Sequence, residues 1–147
     1  FGNAYVHDLQ LQLLPDRIIN HYSPVEVQTG GEWLLDFEEI DVSDVFSGST
    51  SGELAWQDAV ILVPVNMVLG QLKIDVQGNN EALLGEIVAG GALGAAGNAS
   101  LLADGGYRLD ITLQPGPDAT AETLDLLEQG ARLQSNGDYL IRQSGRF

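Results

Sequence analysis

Apolar and polar residues alternate along most of this chain. Tyr107, Leu109, Ile111 and Leu113 hold one parity while Arg108, Asp110 and Thr112 hold the other, as in a strand that is dry on one side and wet on the other. Leu72, Ile74 and Val76 alternate in the same way with Gln71, Lys73 and Asp75, and Leu9, Leu11 and Leu13 with Asp8, Gln10 and Gln12. Between 32 and 45 the period slips. Trp33, Leu35 and Phe37 lie on one parity and Ile40 and Val42 on the other, with Glu38 and Glu39 at the change, which predicts a bulge or bend there. Further strands are predicted over 53–61, 82–89, 98–103 and at the end of the chain, where Tyr139, Ile141 and Phe147 would turn inward.

Turn signals divide these segments at the spacing of an antiparallel meander: QGNN at 77–80, AGG at 89–91, ADGG at 103–106 and Asn136-Gly137. Asp and Gly in ADGG suit the positive φ of a tight hairpin turn. Two segments break the rhythm. PDRIINHY, 15–22, suits a short helix with Pro15 in its first turn, stopped at Ser23-Pro24. A second helix is predicted over about 119–129, capped by Asp118, with Ala121, Leu124, Leu126 and Leu127 as its apolar side and Gly130 to end it. The expected fold class is mainly β: an antiparallel curved meander or half-open sheet of about seven to ten strands, with one or two short helices packed at its side. Trp33, Trp56, Tyr107, Tyr139 and Phe147 are expected in its core.

At 147 residues the chain fits a single domain over 1–147. It has no cysteine, which removes disulfides, thiolate metal sites and cysteine nucleophiles together. Charge narrows the partners. Twenty-one acidic residues face six basic ones, for a formal −15, and no Lys or Arg occurs between Arg17 and Lys73. Phosphate backbones and bare anionic membrane surfaces are repelled, so nucleic acid is excluded as a partner. The most apolar stretch, 59–70, is short and holds Pro64, so no spanning helix is expected. Nor does the ending YLIRQSGRF suit a lipid-facing strand, because Gln143 would meet lipid in mid-strand. The chain starts at Phe1 without a signal peptide and reads as a fragment or processed chain.

Candidate chemistry is sparse. The run DFEEIDVSD, 36–44, lacks calcium-loop spacing and keeps a strand period, so it reads as a solvated strand face on which a basic partner could dock. The candidate contact residues are Glu38, Glu39, Asp41 and Asp44. His7 and His21 have no partner at metal-ligand spacing. Gly48-Ser49-Thr50-Ser51-Gly52 misses the nucleophile-elbow pattern by one residue, and AGGALGAAGNAS, 89–100, has no Gly-Lys-Ser/Thr after it. Asn98-Ala99-Ser100 matches a glycosylation sequon, a pattern too common to carry weight. No catalytic constellation, metal site or cofactor site is expected, and the chain reads as a non-enzyme.

Four motifs in order resemble one family. They are Gly52, Leu54, Trp56, Asp58 and Ala59; Leu69, Gly70 and Leu72; Gly106, Tyr107 and Leu109; and Gly137, Tyr139, Ser144, Gly145 and Arg146. Together they resemble the C-terminal part of protein N of the bacterial type II secretion system. The resemblance implies a non-enzymatic accessory protein of a Gram-negative bacterium, anchored in the inner membrane by an N-terminal helix that this chain lacks and projecting into the periplasm. The implied work is protein–protein contact with other secretion components, through an acidic face or by pairing at a sheet edge. The alternative is a periplasmic lipid-handling or apolar-ligand-binding β domain, which a continuous unfilled apolar groove would favour.

Overall fold

The structure is a computed structural model and describes residues 4–13 and 26–146. The predicted helix at 15–22, His21 and Phe147 lie outside the described residues. Nine strands follow one another: β1 (Tyr5–Leu13), β2 (Gln28–Asp41), β3 (Ser51–Val63), β4 (Met67–Gly78), β5 (Ala82–Gly90), β6 (Ala96–Leu102), β7 (Gly106–Leu113), β8 (Arg132–Leu133) and β9 (Tyr139–Arg146). They form one antiparallel sheet in the order β1-β2-β3-β4-β5-β6-β7-β9-β8. The expected mainly β meander is therefore the observed fold, and the alternation seen in the sequence fixes its two faces. Cross-strand partners share a face, so the pairs Leu11–Leu35, Leu35–Leu54, Leu54–Ile74 and Ile74–Ile87 carry one apolar row across five strands.

The predicted slip at Glu38–Glu39 is a register shift between Phe37 and Glu39 in the β2–β3 pairing. A second irregularity matters more. The register also shifts between Gly30 and Glu32 on β2, between Trp56 and Ala59 on β3, and Ala59 sits opposite Gly70 on β4. Gly31, Asp58 and Gly70 at these positions all have positive φ, of 88°, 49° and 78°. The three longest strands therefore bend at one level, since each bulge kinks its strand and adds twist. Beyond this corner the inward parity steps by three residues, from Trp56 to Ala59 and from Leu72 to Leu69. Ala59, Met67 and Leu69 are consequently buried together, with Trp56, Ile61, Leu72, Leu93 and Leu126 packed around them.

The helix α1 (Ala121–Gly130) covers that corner. It begins two residues later than the sequence suggests and is capped by Thr120, whose hydroxyl accepts from the Thr123 N–H at 3.2 Å, not by Asp118. Both residue types cap well; here a backbone turn from Ala119 N–H to Gly116 C=O occupies the Asp118 stretch and postpones the start. The helix ends as expected at Gly130, with Ala131 extended and its N–H on Leu127 C=O.

At the opposite end of the sheet, the hairpin between β6 and β7 is held by Asp104. Its Oδ1 accepts from Gly106 N–H at 2.9 Å and its Oδ2 from Arg146 Nη2 at 2.6 Å. Only Gly105 takes the positive φ expected of this turn, because Asp104 serves through its side chain. The Gly106 amide and then Arg146 hold the Asp104 carboxyl below its usual range. A depressed folded-state pKa means stabilisation present above the unfolded value and lost as pH falls through the folded one. Asp104→Ala should therefore melt below the parent at pH 7, and the two melting points should converge as the pH falls through the lowered folded-state value; a gap that persists in strong acid would overturn this role.

Candidate functional site

The inner face of the sheet is an apolar trough. Each strand contributes successive inward positions: Leu72, Ile74 and Val76 from β4, Ile87 and Leu83 from β5, Ala99 and Leu101 from β6, and Leu113, Ile111, Leu109 and Tyr107 from β7. Two cavities lie on it. One of about 370 Å³ sits against the helix-covered end, between Trp33, Trp56, Leu93, Leu113 and Leu127. The other, of about 400 Å³, is lined by Val76, Leu83, Ala99, Tyr107, Leu109 and Gln143 toward the opposite end. They adjoin strand by strand, because Ile74 is followed by Val76, Ile111 by Leu109 and Ile141 by Gln143 at the next inward positions.

The trough is not filled by its own side chains. Among the described residues only Phe37, Ala55, Ala59, Met67, Leu69, Ala82, Leu113 and Tyr139 are buried hydrophobics. Of the aromatic residues expected in the core, Tyr139 is there, while Trp33, Trp56 and Tyr107 stay half-buried on the trough wall. Trp33 and Trp56 meet edge to face with ring centroids 5.7 Å apart. Trp56 Nε1–H donates to Gly30 C=O at 2.9 Å, whereas the covered Trp33 Nε1–H has no acceptor. The accessible surface of 9136 Å² exceeds the roughly 7,300 Å² expected of a compact monomer of this mass.

The outer face is acidic. Register places Gln10, Asp36, Glu53, Asp75, Glu86, Asn98, Asp110 and Arg142 directly opposite one another in a single row across eight strands. Lys73 pairs with Glu53 at 3.2 Å, Arg142 with Asp110 at 3.1 Å, and Gln10 donates to Asp36 at 3.2 Å. Asp75 and Glu86 are exposed and make no ion pair among the described residues. Asp36, Glu38, Glu53 and Asp75 line a shallow cleft of about 500 Å³. Among the described residues no group of three or more His, Asp or Glu side chains is arranged to hold a metal ion.

The four acidic residues singled out in the sequence do not share one face. Glu38 is exposed beside Asp36 on the outer face. Glu39 is half-buried, with His7 Nδ1 at 3.7 Å. Asp44 is exposed in the turn after β2, and its Oδ1 accepts from Phe46 N–H. Asp41 is not available as a contact residue. It is only 1% exposed, its Oδ1 accepts from the Ser43 and Asp44 amides, and its own N–H donates to Thr50 Oγ1. A turn that must satisfy several amides within the chain takes up this carboxylate. The residues missed, Asp75, Glu86 and Asp110, each sit at the wet parity of a strand; their alignment becomes visible only with the register.

The sheet has open edges. Among the described residues β1 is paired on one side only, and β8 covers only Tyr139 and Leu140 of β9. No helix among the described residues is long and apolar enough to cross a membrane.

A family-wide sequence profile, described as type II secretion system (T2SS), protein N, matches residues 1–142. The chain belongs to that family. It is accordingly a component of the type II secretion apparatus. No protein of curated function and no solved structure matches the chain.

The structure explains the residues that carry the family likeness. Asp58-Ala59 and Leu69-Gly70 are the two sides of the bulged corner, with Ala59 and Leu69 as its buried contacts. Gly52 lies against Phe37, and Gly145 against the Tyr107 ring, where a Cβ would come within 2.8 Å of the phenol oxygen. Arg146 closes the far hairpin on Asp104. These motif residues therefore shape the trough and its two ends.

Proposed function

We propose that this chain acts in the periplasm as a non-enzymatic scaffold of the secretion apparatus, held near the inner membrane by an upstream anchor, and that it engages a basic partner through the acidic row of its outer face. The observation that carries this reading is the direct opposition of Asp36, Glu53, Asp75 and Glu86 on neighbouring strands. Like charges placed opposite one another weaken a sheet, by about 0.2–1 kcal/mol a pair. A cationic surface laid across the row would relieve that repulsion and be steered to it from a distance. Glu38 flanks the row beside Asp36 on the outer face; Glu39 and Asp44 lie outside it. The open edge of β9 beyond Leu140 offers a second mode, addition of a partner strand.

The test is capture of secretion components from extracts of cells that make the apparatus, with E38K/D75K/E86K against the parent. Capture by the reversed variant should fall about tenfold at low salt, and the gap should close near 0.5 M salt, where screening lengths drop to a few ångströms. Equal capture by parent and variant at low salt would remove the acidic row as the contact.

A further inference from the structure

We propose that the inner trough is a binding site for one acyl chain of a membrane lipid, with the tail under α1 and the head at the Tyr107–Gln143 end. This goes beyond the scaffold reading, since it uses the opposite face of the sheet and needs no protein partner.

Length and polarity choose the occupant. From Tyr107 to Leu113 the inward positions of β7 span about 20 Å at ~3.3 Å per residue. One leaflet's acyl chains cover half of a ~30 Å hydrocarbon core, about 15 Å, which the trough accommodates. An extended peptide would match that length too. Its amides, however, would face Leu72, Ile74, Ile87, Leu109 and Ile111, with few groups to accept or donate, and each unpaired one costs about 1–3 kcal/mol. A hydrocarbon chain brings no such groups.

Polarity also sets the direction. The end between Leu93, Leu113 and Leu127 is apolar and covered by the helix. At the other end Gln143 is exposed, with its Nε2 3.5 Å from the Tyr107 hydroxyl oxygen, so polar groups stand where a headgroup would leave the trough. The volume is also in range: pockets for small molecules run from about 300 to 1,000 Å³.

The experiment places a photoreactive p-benzoylphenylalanine at Leu109 in the trough or at Arg108 on the outer face. Each purified chain is irradiated with vesicles of phosphatidylethanolamine and phosphatidylglycerol and weighed by mass spectrometry. A phospholipid adduct is expected from position 109 and not from 108. Ala99→Phe, which fills the trough, should lower that adduct at least tenfold with an unchanged circular-dichroism spectrum; Ala99→Leu should lower it less, and reports the trend if the larger variant folds poorly. Absence of an adduct at 109, equal adducts at both positions, or insensitivity to both Ala99 variants would overturn the proposal. So would a crosslink from 109 to a polypeptide, including residues 14–25 of the same chain. Adducts with oleic acid but never with vesicles would overturn the membrane-lipid source.

Discussion

Gly31→Val lowers the melting midpoint by about 10–15 °C, the loss expected when a domain of this size forfeits about 4 kcal/mol. Gly31 has φ of 88°, a region that a β-branched residue enters only with strain. A Cβ there would also run into the carbonyl groups of Gln57 and Asp58, which are backbone and cannot swing away. The damage cannot stay local. Gly31 lies opposite the β3 bulge, which in turn faces Gly70 on β4, so straightening one strand pulls the other two out of register. Total stabilities of about 5–15 kcal/mol leave little margin for such a loss. Gly116→Val is the control. A Cβ at Gly116 meets nothing within 4 Å and its φ is not positive, so its midpoint should stay within about 2 °C. Equal midpoints for the two variants would show that the corner is not under the constraint described.

That corner marks the boundary of what could be read from the sequence. The alternation at 72–76, 107–113 and 9–13 identifies strands because a period of two has one structural meaning over five or more residues. The slip at Glu38–Glu39 was legible for the same reason: both flanking runs are long enough to set a parity. At the corner the runs are too short. Trp56 to Ala59 and Leu69 to Leu72 step by three, which in isolation resembles one turn of helix, and only the neighbouring strands show these to be facing bulges.

The candidate site divided along the same line. Which residues face inward follows from parity, so the apolar face is visible in the sequence as an alternating pattern. Which carboxylates stand together did not follow, because Asp36, Glu53, Asp75 and Glu86 are brought side by side by register, and register depends on turn lengths and bulges. Reading acidity along the chain instead favoured 36–44, where one residue in the run, Asp41, serves the turn.

Leu69→Ala is expected to destabilise the chain by about 2–5 kcal/mol, the range for truncating a buried leucine. Leu69 is only 4% exposed and packs with Ala59 and Met67 beneath Leu126 of α1. The midpoint in denaturant should fall with its slope unchanged, as for a loss of packing without a change in the surface exposed on unfolding. Leu69 also lines the helix-covered cavity, so the truncated site opens into space that is already empty and cannot collapse around the missing methyl groups. Leu126→Ala removes the other side of the same contact. The double variant should therefore lose less than the two single losses combined, by about 0.5–3 kcal/mol, because the second truncation removes contacts already lost to the first. Val68, the adjacent residue, is 71% exposed and points to the outer face, so Val68→Ala should change stability by no more than about 0.5 kcal/mol. Strict additivity of Leu69→Ala and Leu126→Ala would mean that α1 does not close this end of the trough. The tail of an acyl chain would then have no floor, and the orientation assigned to it would fail along with the packing.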